Sequence, residues 1–348
     1  MKTSFVSNLA VQNAMRITIQ QGQLEVIKLQ QEVTTGKYAD SGAELGASSS
    51  RAVNLKNELS RLGNLKETNA VVTQRLSASQ MSLETMRKAA EQINTTLIAS
   101  LGNDDASRLN IARTDINAAL DSFVAAANVQ FNGEFLMSGI NTDVKPLAEY
   151  GAGSAAKATF DTALSDFMTT NGIASMSDFT PAQMDDFIET TLEPLYTGTQ
   201  WDTDWSEASD QNVMSRISAS EVIPSTTNTN TEGVRKFALA AVLTTELLGA
   251  NVSSAVRSTI NSHAQNYVQQ SVTGLIETSS TLGISESRVK KANTSLESQI
   301  KLIQTHVNDI EGVDPYEAST RMNTLLTQIE TSYTLTSRLQ QLSLINFL

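Results

Sequence analysis

The sequence predicts a mainly α protein: an elongated antiparallel helical bundle or coiled coil built from both chain ends, with a β-hairpin and an inserted mixed α/β middle domain. Three observations lead there. Apolar residues step by four and three along several long runs, the rhythm of helices that bury one stripe against a neighbour. Aromatic residues make up 5% of the chain and prolines number five, which suits long helices better than a sandwich or barrel. Four prolines (Pro146, Pro181, Pro194, Pro224) and both tryptophans (Trp201, Trp205) fall between 140 and 232, so that stretch differs in kind.

Taken in order, Met15, Ile19, Gly22, Val26, Leu29 and Val33 follow a 4-3-4-3-4 rhythm among Gln, Thr and Asn, predicting a first helix with a narrow apolar stripe. The next run passes Leu55, Leu59, Leu62, Lys66, Asn69, Val72, Leu76, Ser79, Leu83, Met86, Ala90, Ile93 and Leu97. Its two consecutive three-residue steps from Lys66 to Val72 predict a stammer, which overwinds the supercoil locally. At ~1.5 Å per residue this helix spans about 70 Å. Leu101-Gly102-Asn103-Asp104-Asp105 ends it: Gly102 suits the position after the last turn, and Asp104 or Asp105 can cap the next helix. That helix carries Leu109, Ala112, Ile116, Leu120, Phe123 and Ala127. Asn132-Gly133, between apolar residues of 129–137, is a strong hairpin signal.

Beyond 140, Gly151-Ala152-Gly153 and the polar run 225–231 read as loops of the inserted domain. Helical spacing resumes with Phe237, Leu239, Val242, Leu243 and Leu247, then Val256, Ile260 and Tyr267. Leu282, Glu286, Val289, Asn293, Leu296, Ile300, Ile303, Val307 and Ile310 step 4-3 until Gly312, and Pro315 can open a last helix. In it, Met322, Leu325, Leu326, Ile329, Tyr333, Leu335, Leu339, Leu342 and Ile345 recur among Ser, Thr, Gln and Asn. From Ala318 onward only Arg321, Glu330 and Arg338 are charged.

Seams must pair, and the economical pairing sets the helices of 51–130 against those of 235–311. The expected division is therefore terminal coiled-coil assembly segments at 1–40 and 313–348, and a helical bundle rod domain at 41–140 and 233–312 with its hairpin near 129–137. Residues 141–232 form the inserted surface domain. The terminal stripes are left without a partner in the chain. Isolated helices are marginal in water, so both ends are expected to be disordered or partly helical in the free monomer and to order on assembly. The assembly interface predicted on this basis comprises Met15, Ile19, Val26, Leu29, Val33, Leu325, Ile329, Leu335, Leu339, Leu342 and Ile345.

Composition narrows function. A formal net charge of −12 argues against nucleic acid or an anionic membrane as partner. The absence of cysteine removes disulfides, thiolate metal sites and thiol nucleophiles together. No stretch approaches the roughly 20 apolar residues that span a bilayer, and the polar start gives no cleavable signal peptide, so membrane insertion is not expected. Glycine-rich phosphate loops, nucleophile elbows and paired metal-binding histidines are missing, so no enzyme activity, catalytic residue, cofactor or metal is expected. His263 and His306 have no second ligand near them in sequence, and His306, beside Val307, reads as a solvent-facing or rim residue. Asp185-Asp186 and Asp202-Thr203-Asp204 lack the pattern of a calcium loop and read as solvated turns. Trp201 and Trp205 read as anchors of the inserted core ahead of a carbohydrate site.

Several segments, taken in order, carry a family resemblance. Glu32-Val33-Thr34-Thr35-Gly36-Lys37 follows the first helix, and Phe131-Asn132-Gly133-Glu134-Phe135-Leu136-Met137-Ser138-Gly139 forms the hairpin. Asn141-Thr142-Asp143-Val144-Lys145-Pro146-Leu147, Ile310-Glu311-Gly312-Val313-Asp314 and Leu342-Ser343-Leu344-Ile345-Asn346-Phe347-Leu348 complete the set. With these, the chain resembles the bacterial flagellin superfamily over about 1–147 and 233–348, and its ends are more similar to the hook-associated junction proteins than to filament subunits. It departs from the family at 38–46, where Tyr38-Ala39-Asp40-Ser41-Gly42 stands in place of an acidic pair followed by Pro or Ala.

The resemblance implies a structural subunit of an extracellular flagellum, placed at the hook–filament junction and self-assembling into a homo-oligomeric ring or tube. Its implied partners are a neighbouring hook-associated protein, flagellin, an export chaperone and the type III export apparatus. A filament subunit, a flagellin-like surface binding protein and a small inserted hydrolase are the alternatives.

Overall fold

The computed structural model describes residues 8–102 and 105–345, with side chains over 10–102 and 105–338. Two compact units divide the chain: Met1–Asn64 with Ser295–Leu348, and Leu65–Thr294. Helices α3 (Ser48–Ser100) and α10 (Ser254–Glu311) lend residues to both.

The first unit is built on α1 (Asn8–Thr35) and α11 (Pro315–Ile345), which pack against each other. The stripe of α1 is the predicted one: Ile19, Gly22 and Leu29 are buried, and Met15, Val26 and Val33 half-buried. Facing it on α11 are Ala318, Met322, Leu325, Ile329, Ser332 and Thr336, again at alternating steps of four and three. Gly22 lets the backbones close in, since a Cβ there would lie 3.1 Å from Ile329 Cγ1. Gln23 Nε2 donates to Tyr333 Oη at 2.9 Å, and Thr336 Oγ1 lies 3.6 Å from Met15 Sδ. The expectation that the terminal stripes lack a partner within the chain is thus corrected: each is the other's partner, because both carry the same narrow 4-3 stripe. Short α2 (Ser41–Leu45) occupies the atypical 38–46 segment, and Asp40 caps it by accepting Ala43 N at 3.0 Å.

The second unit contains α3, α4 (Ala106–Ala127), α9 (Glu232–Leu247) and α10 as antiparallel neighbours. Across α3 and α10, Asn69 Nδ2 donates to Asn293 Oδ1 at 2.8 Å, and Gln80 Nε2 to Ser279 O at 2.7 Å. Across α4 and α9, Thr245 Oγ1 donates to Asn117 Oδ1 at 2.8 Å, and Phe123 stacks on Phe237 with centroids 3.6 Å apart. Both rings are fully buried, so Phe237→Ala is expected to cost about 3–5 kcal/mol of stability. Urea unfolding followed by far-UV circular dichroism checks this.

The α3 seam passes Leu59, Leu62, Leu65 and Asn69, while Lys66 is exposed. The predicted stammer therefore sits about two turns earlier, at Leu59–Leu62–Leu65. The reason is simple: the Lys66 ammonium stays in water and the neighbouring leucine takes the inward position. Asp105 caps α4, accepting Arg108 N at 3.0 Å. Strands β1 (Gln130–Phe131) and β2 (Glu134–Phe135) form the predicted hairpin. Asn132 and Gly133 have φ of 52° and 84°, the double left-handed pair of a type I′ turn.

The insertion is mostly helical: α5 (Ala155–Thr170), α6 (Pro181–Asp186), a π-helical stretch (Phe187–Leu192), α7 (Glu193–Thr197) and α8 (Gln200–Asp204), then the hairpin β3 (Met214–Arg216) and β4 (Val222–Pro224). Thr180, Pro181 and Gln183 make a capping box that starts α6. Phe160, Phe167, Phe187, Trp201 and Trp205 join the same continuous core as α4, α9 and α10. The run 225–229 is buried rather than solvated, because its polar groups are bonded inside. Thr229 Oγ1 donates to Pro146 O at 3.1 Å, and Asn228 Nδ2 to Asn212 Oδ1 at 3.1 Å. Among the described residues no helix is long and apolar enough to cross a membrane.

Candidate functional site

The α1–α11 pair leaves apolar side chains pointing outward. Ile17 and Leu24, seven residues apart on the face of α1 opposite its stripe, are 52% and 63% exposed, and Ile27 stands beside them. On α11, Leu326 and Tyr333 flank one side of the stripe and Leu335 the other, all exposed. A helix pair in water normally carries Lys and Glu on such positions. Here α1 has only Arg16, Glu25, Lys28 and Glu32 as charged residues, and α11 only Glu317, Arg321, Glu330 and Arg338.

Of the predicted interface residues, Met15, Ile19, Val26, Leu29, Val33, Leu325 and Ile329 pack between α1 and α11, whereas Leu335 faces outward. Tyr333 lies half exposed beside the stripe, its hydroxyl accepting from Gln23 of α1, because the stripe itself continues through Ser332 and Thr336. The side chains of Leu339, Leu342 and Ile345 lie outside the described residues. Sequence reasoning missed Ile17, Leu24 and Ile27; their signal was the very fact that they break the 4-3 rhythm while remaining apolar.

The connections into the two helices are clasped together. Lys37 bridges Gly312, Tyr38 N donates to Glu311 O at 3.1 Å, and Val313 N donates to Gly36 O at 3.0 Å. Glu311 is 4% exposed and is held by Lys56 at 2.5 Å and Lys37 at 3.5 Å. The hydrogen bond from Lys56 holds its carboxyl below the usual range against the desolvation that would raise it. A carboxyl depressed in the fold contributes stability above its unfolded value of about 4.3, and that contribution is lost as pH falls through the folded value. Lys56→Met is expected to cost about 1–3 kcal/mol at neutral pH, with the difference from the parent shrinking below about pH 4. Urea unfolding at the two pH values measures it.

The remaining candidates are structural in large part. Trp201 and Trp205 stack with centroids 5.7 Å apart, and Trp201 Nε1 donates to Asn230 Oδ1 at 2.9 Å. Arg235 lies over the Trp201 ring and donates to the carbonyls of Asn230 and Tyr196, tying the insertion to α9. Asp204 is buried and accepts from Gln200 at 3.0 Å, so it is no solvated turn. His306 is exposed as expected. His263, which has no ligand near it in sequence, has its Nε2 2.6 Å from Asp185 Oδ1 across 78 residues of chain.

Known proteins resemble this arrangement. Residues 6–142 match the bacterial flagellin N-terminal helical region, and residues 265–348 match the bacterial flagellin C-terminal helical region. A solved structure from Vibrio parahaemolyticus, provisionally assigned as a flagellar hook-associated protein, covers 76% of this chain and 97% of its own, with a TM-score of 0.53 and 10% identity. At that identity the likeness speaks for the fold alone. No curated protein matches the sequence.

Proposed function

The chain belongs to the flagellin superfamily and is a structural subunit of the flagellum, and we propose that it joins hook to filament. The observation that carries this reading is the α1–α11 pair, in which both chain ends form one weakly charged unit with apolar residues facing out. Copies of the pair would pack through Ile17, Leu24, Ile27, Leu326, Tyr333 and Leu335 and build a ring or tube. The stripe between α1 and α11 would hold each copy in shape. Neighbours on the two sides would be another hook-associated protein and flagellin, after export by a chaperone and the type III apparatus to the cell exterior.

What supports the junction position is the fold shared with the Vibrio protein provisionally assigned as hook-associated. Immunogold labelling of isolated flagella tests it. A single band of label at the hook tip is expected. Label along the whole filament would make the chain a filament subunit instead, and label on the cell surface away from flagella would favour a binding protein.

A further inference from the structure

The inserted segment gathers the chain's charge. Residues 158–215 hold eleven Asp and Glu and no Lys or Arg, against a net charge of −12 for the whole chain. Three of these acids lie on one line. In an α-helix residues four apart drift by about 40° around the axis, and a π turn with its wider winding drifts the other way. The π-helical stretch Phe187–Leu192 follows α6 directly, so Asp185, Glu189 and Glu193 stay aligned on one face while Phe187, Ile188 and Leu192 enter the core. That face meets His263 and Tyr267, four apart on α10.

The two ends of the line differ. Glu193 is neutralised: Lys236 pairs with one oxygen, and Tyr267 Oη donates to the other at 2.8 Å. Burial would raise the Glu193 carboxyl, but these two bonds outweigh it and leave it below the usual range. At the other end Asp185 meets His263 at 2.6 Å, and Glu189 makes no hydrogen bond or ion pair among the described residues. One ligand atom from each of Asp185, Glu189 and His263 lies within 4.8 Å of the others. The His263 side chain is 15% exposed and held by Asp185, while the exposed Glu189 carboxylate is free to turn.

We propose that Asp185, Glu189 and His263 bind a divalent transition cation, with zinc as its representative. One imidazole nitrogen with two carboxylate oxygens suits zinc and its neighbours, whereas calcium and magnesium prefer all-oxygen shells. In a tetrahedral zinc site with ligand bonds of about 2.0–2.1 Å, ligand atoms stand about 3.3 Å apart. Asp185 and His263 then open slightly as the cation replaces the proton between them, Glu189 swings in, and water takes the fourth position. The surrounding acid-rich surface draws the cation in. Binding staples the α6–α7 segment to α10 across a chain separation of 78 residues, so the ion stabilises the folded insertion by mass action.

Calorimetric titration of zinc chloride into the chelator-treated, full-length chain tests the site, with cobalt(II) absorption as a second readout. One zinc ion per chain is expected, together with a rise in melting temperature. His263→Ala and Glu189→Gln should each weaken binding at least about tenfold and abolish the cobalt bands, while His306→Ala changes neither. Glu189 is exposed and unbonded, so its variant should melt as the parent does without zinc, separating ligand loss from misfolding. No saturable zinc binding by the parent, or affinity unchanged in both His263→Ala and Glu189→Gln, would overturn the proposal.

Discussion

Ile17→Asp combined with Leu24→Asp is expected to abolish incorporation into flagella while leaving the melting temperature of the monomer unchanged. Both side chains are more than half exposed on the outer face of α1, so in the free subunit each new carboxylate stays hydrated. In a polymer the same face is covered. Each substitution then removes about 1.5–3 kcal/mol of apolar burial, and desolvating the carboxylate costs more still. The penalty recurs at every contact, because every subunit presents the same helix. The paired measurement is thermal unfolding of the monomer and recovery of the variant on flagella in a strain lacking the native protein. A large fall in melting temperature would mean that this face is packed inside the monomer; normal incorporation would mean that assembly does not use it.

Ile329→Asp should act differently and more broadly. Ile329 is 9% exposed and sits over Gly22, where a Cβ would lie 3.1 Å from its Cγ1. A carboxylate there loses about 1.5–3 kcal/mol of burial and must be desolvated against an apolar stripe. The α1–α11 pair should open, so amide protection across both helices falls and assembly fails with it. The second unit should keep its own melting transition, since its seams lie along other residues. Unchanged protection in α1 and α11 would show that the stripe contributes little to holding the pair.

Much of this was legible in the sequence, for a definite reason. Heptad spacing reports which face a helix buries, so the stripes of α1, α4 and the lower part of α10 could be read residue by residue. Asn132-Gly133 specified its hairpin because few residues tolerate two successive positive φ angles. What spacing does not report is the partner. Nothing in the run from Met15 to Val33 says that it is covered by Leu325 and Ile329 of the same chain rather than by another copy. Lys66 and Leu65 were likewise interchangeable as seam positions until the opposing surface was known.

Polar burial was the other blind spot. The run 225–229 looks like a surface loop because its hydroxyls and amides find partners only in the folded insertion, at Pro146, Val213 and Asn212. His263 looked solitary because its carboxylate neighbours arrive from a helix far away in sequence. The π-helical stretch that aligns them has no reliable one-dimensional signature.

Flagella from a strain deleted for this chain test the junction role most directly. A subunit that joins hook to filament is required to retain the filament, though not to make its protein. Bare hooks are therefore expected, with filament protein free in the medium, and re-expression of the chain should restore attached filaments. Full-length filaments still seated on hooks in the deletion strain would contradict the role.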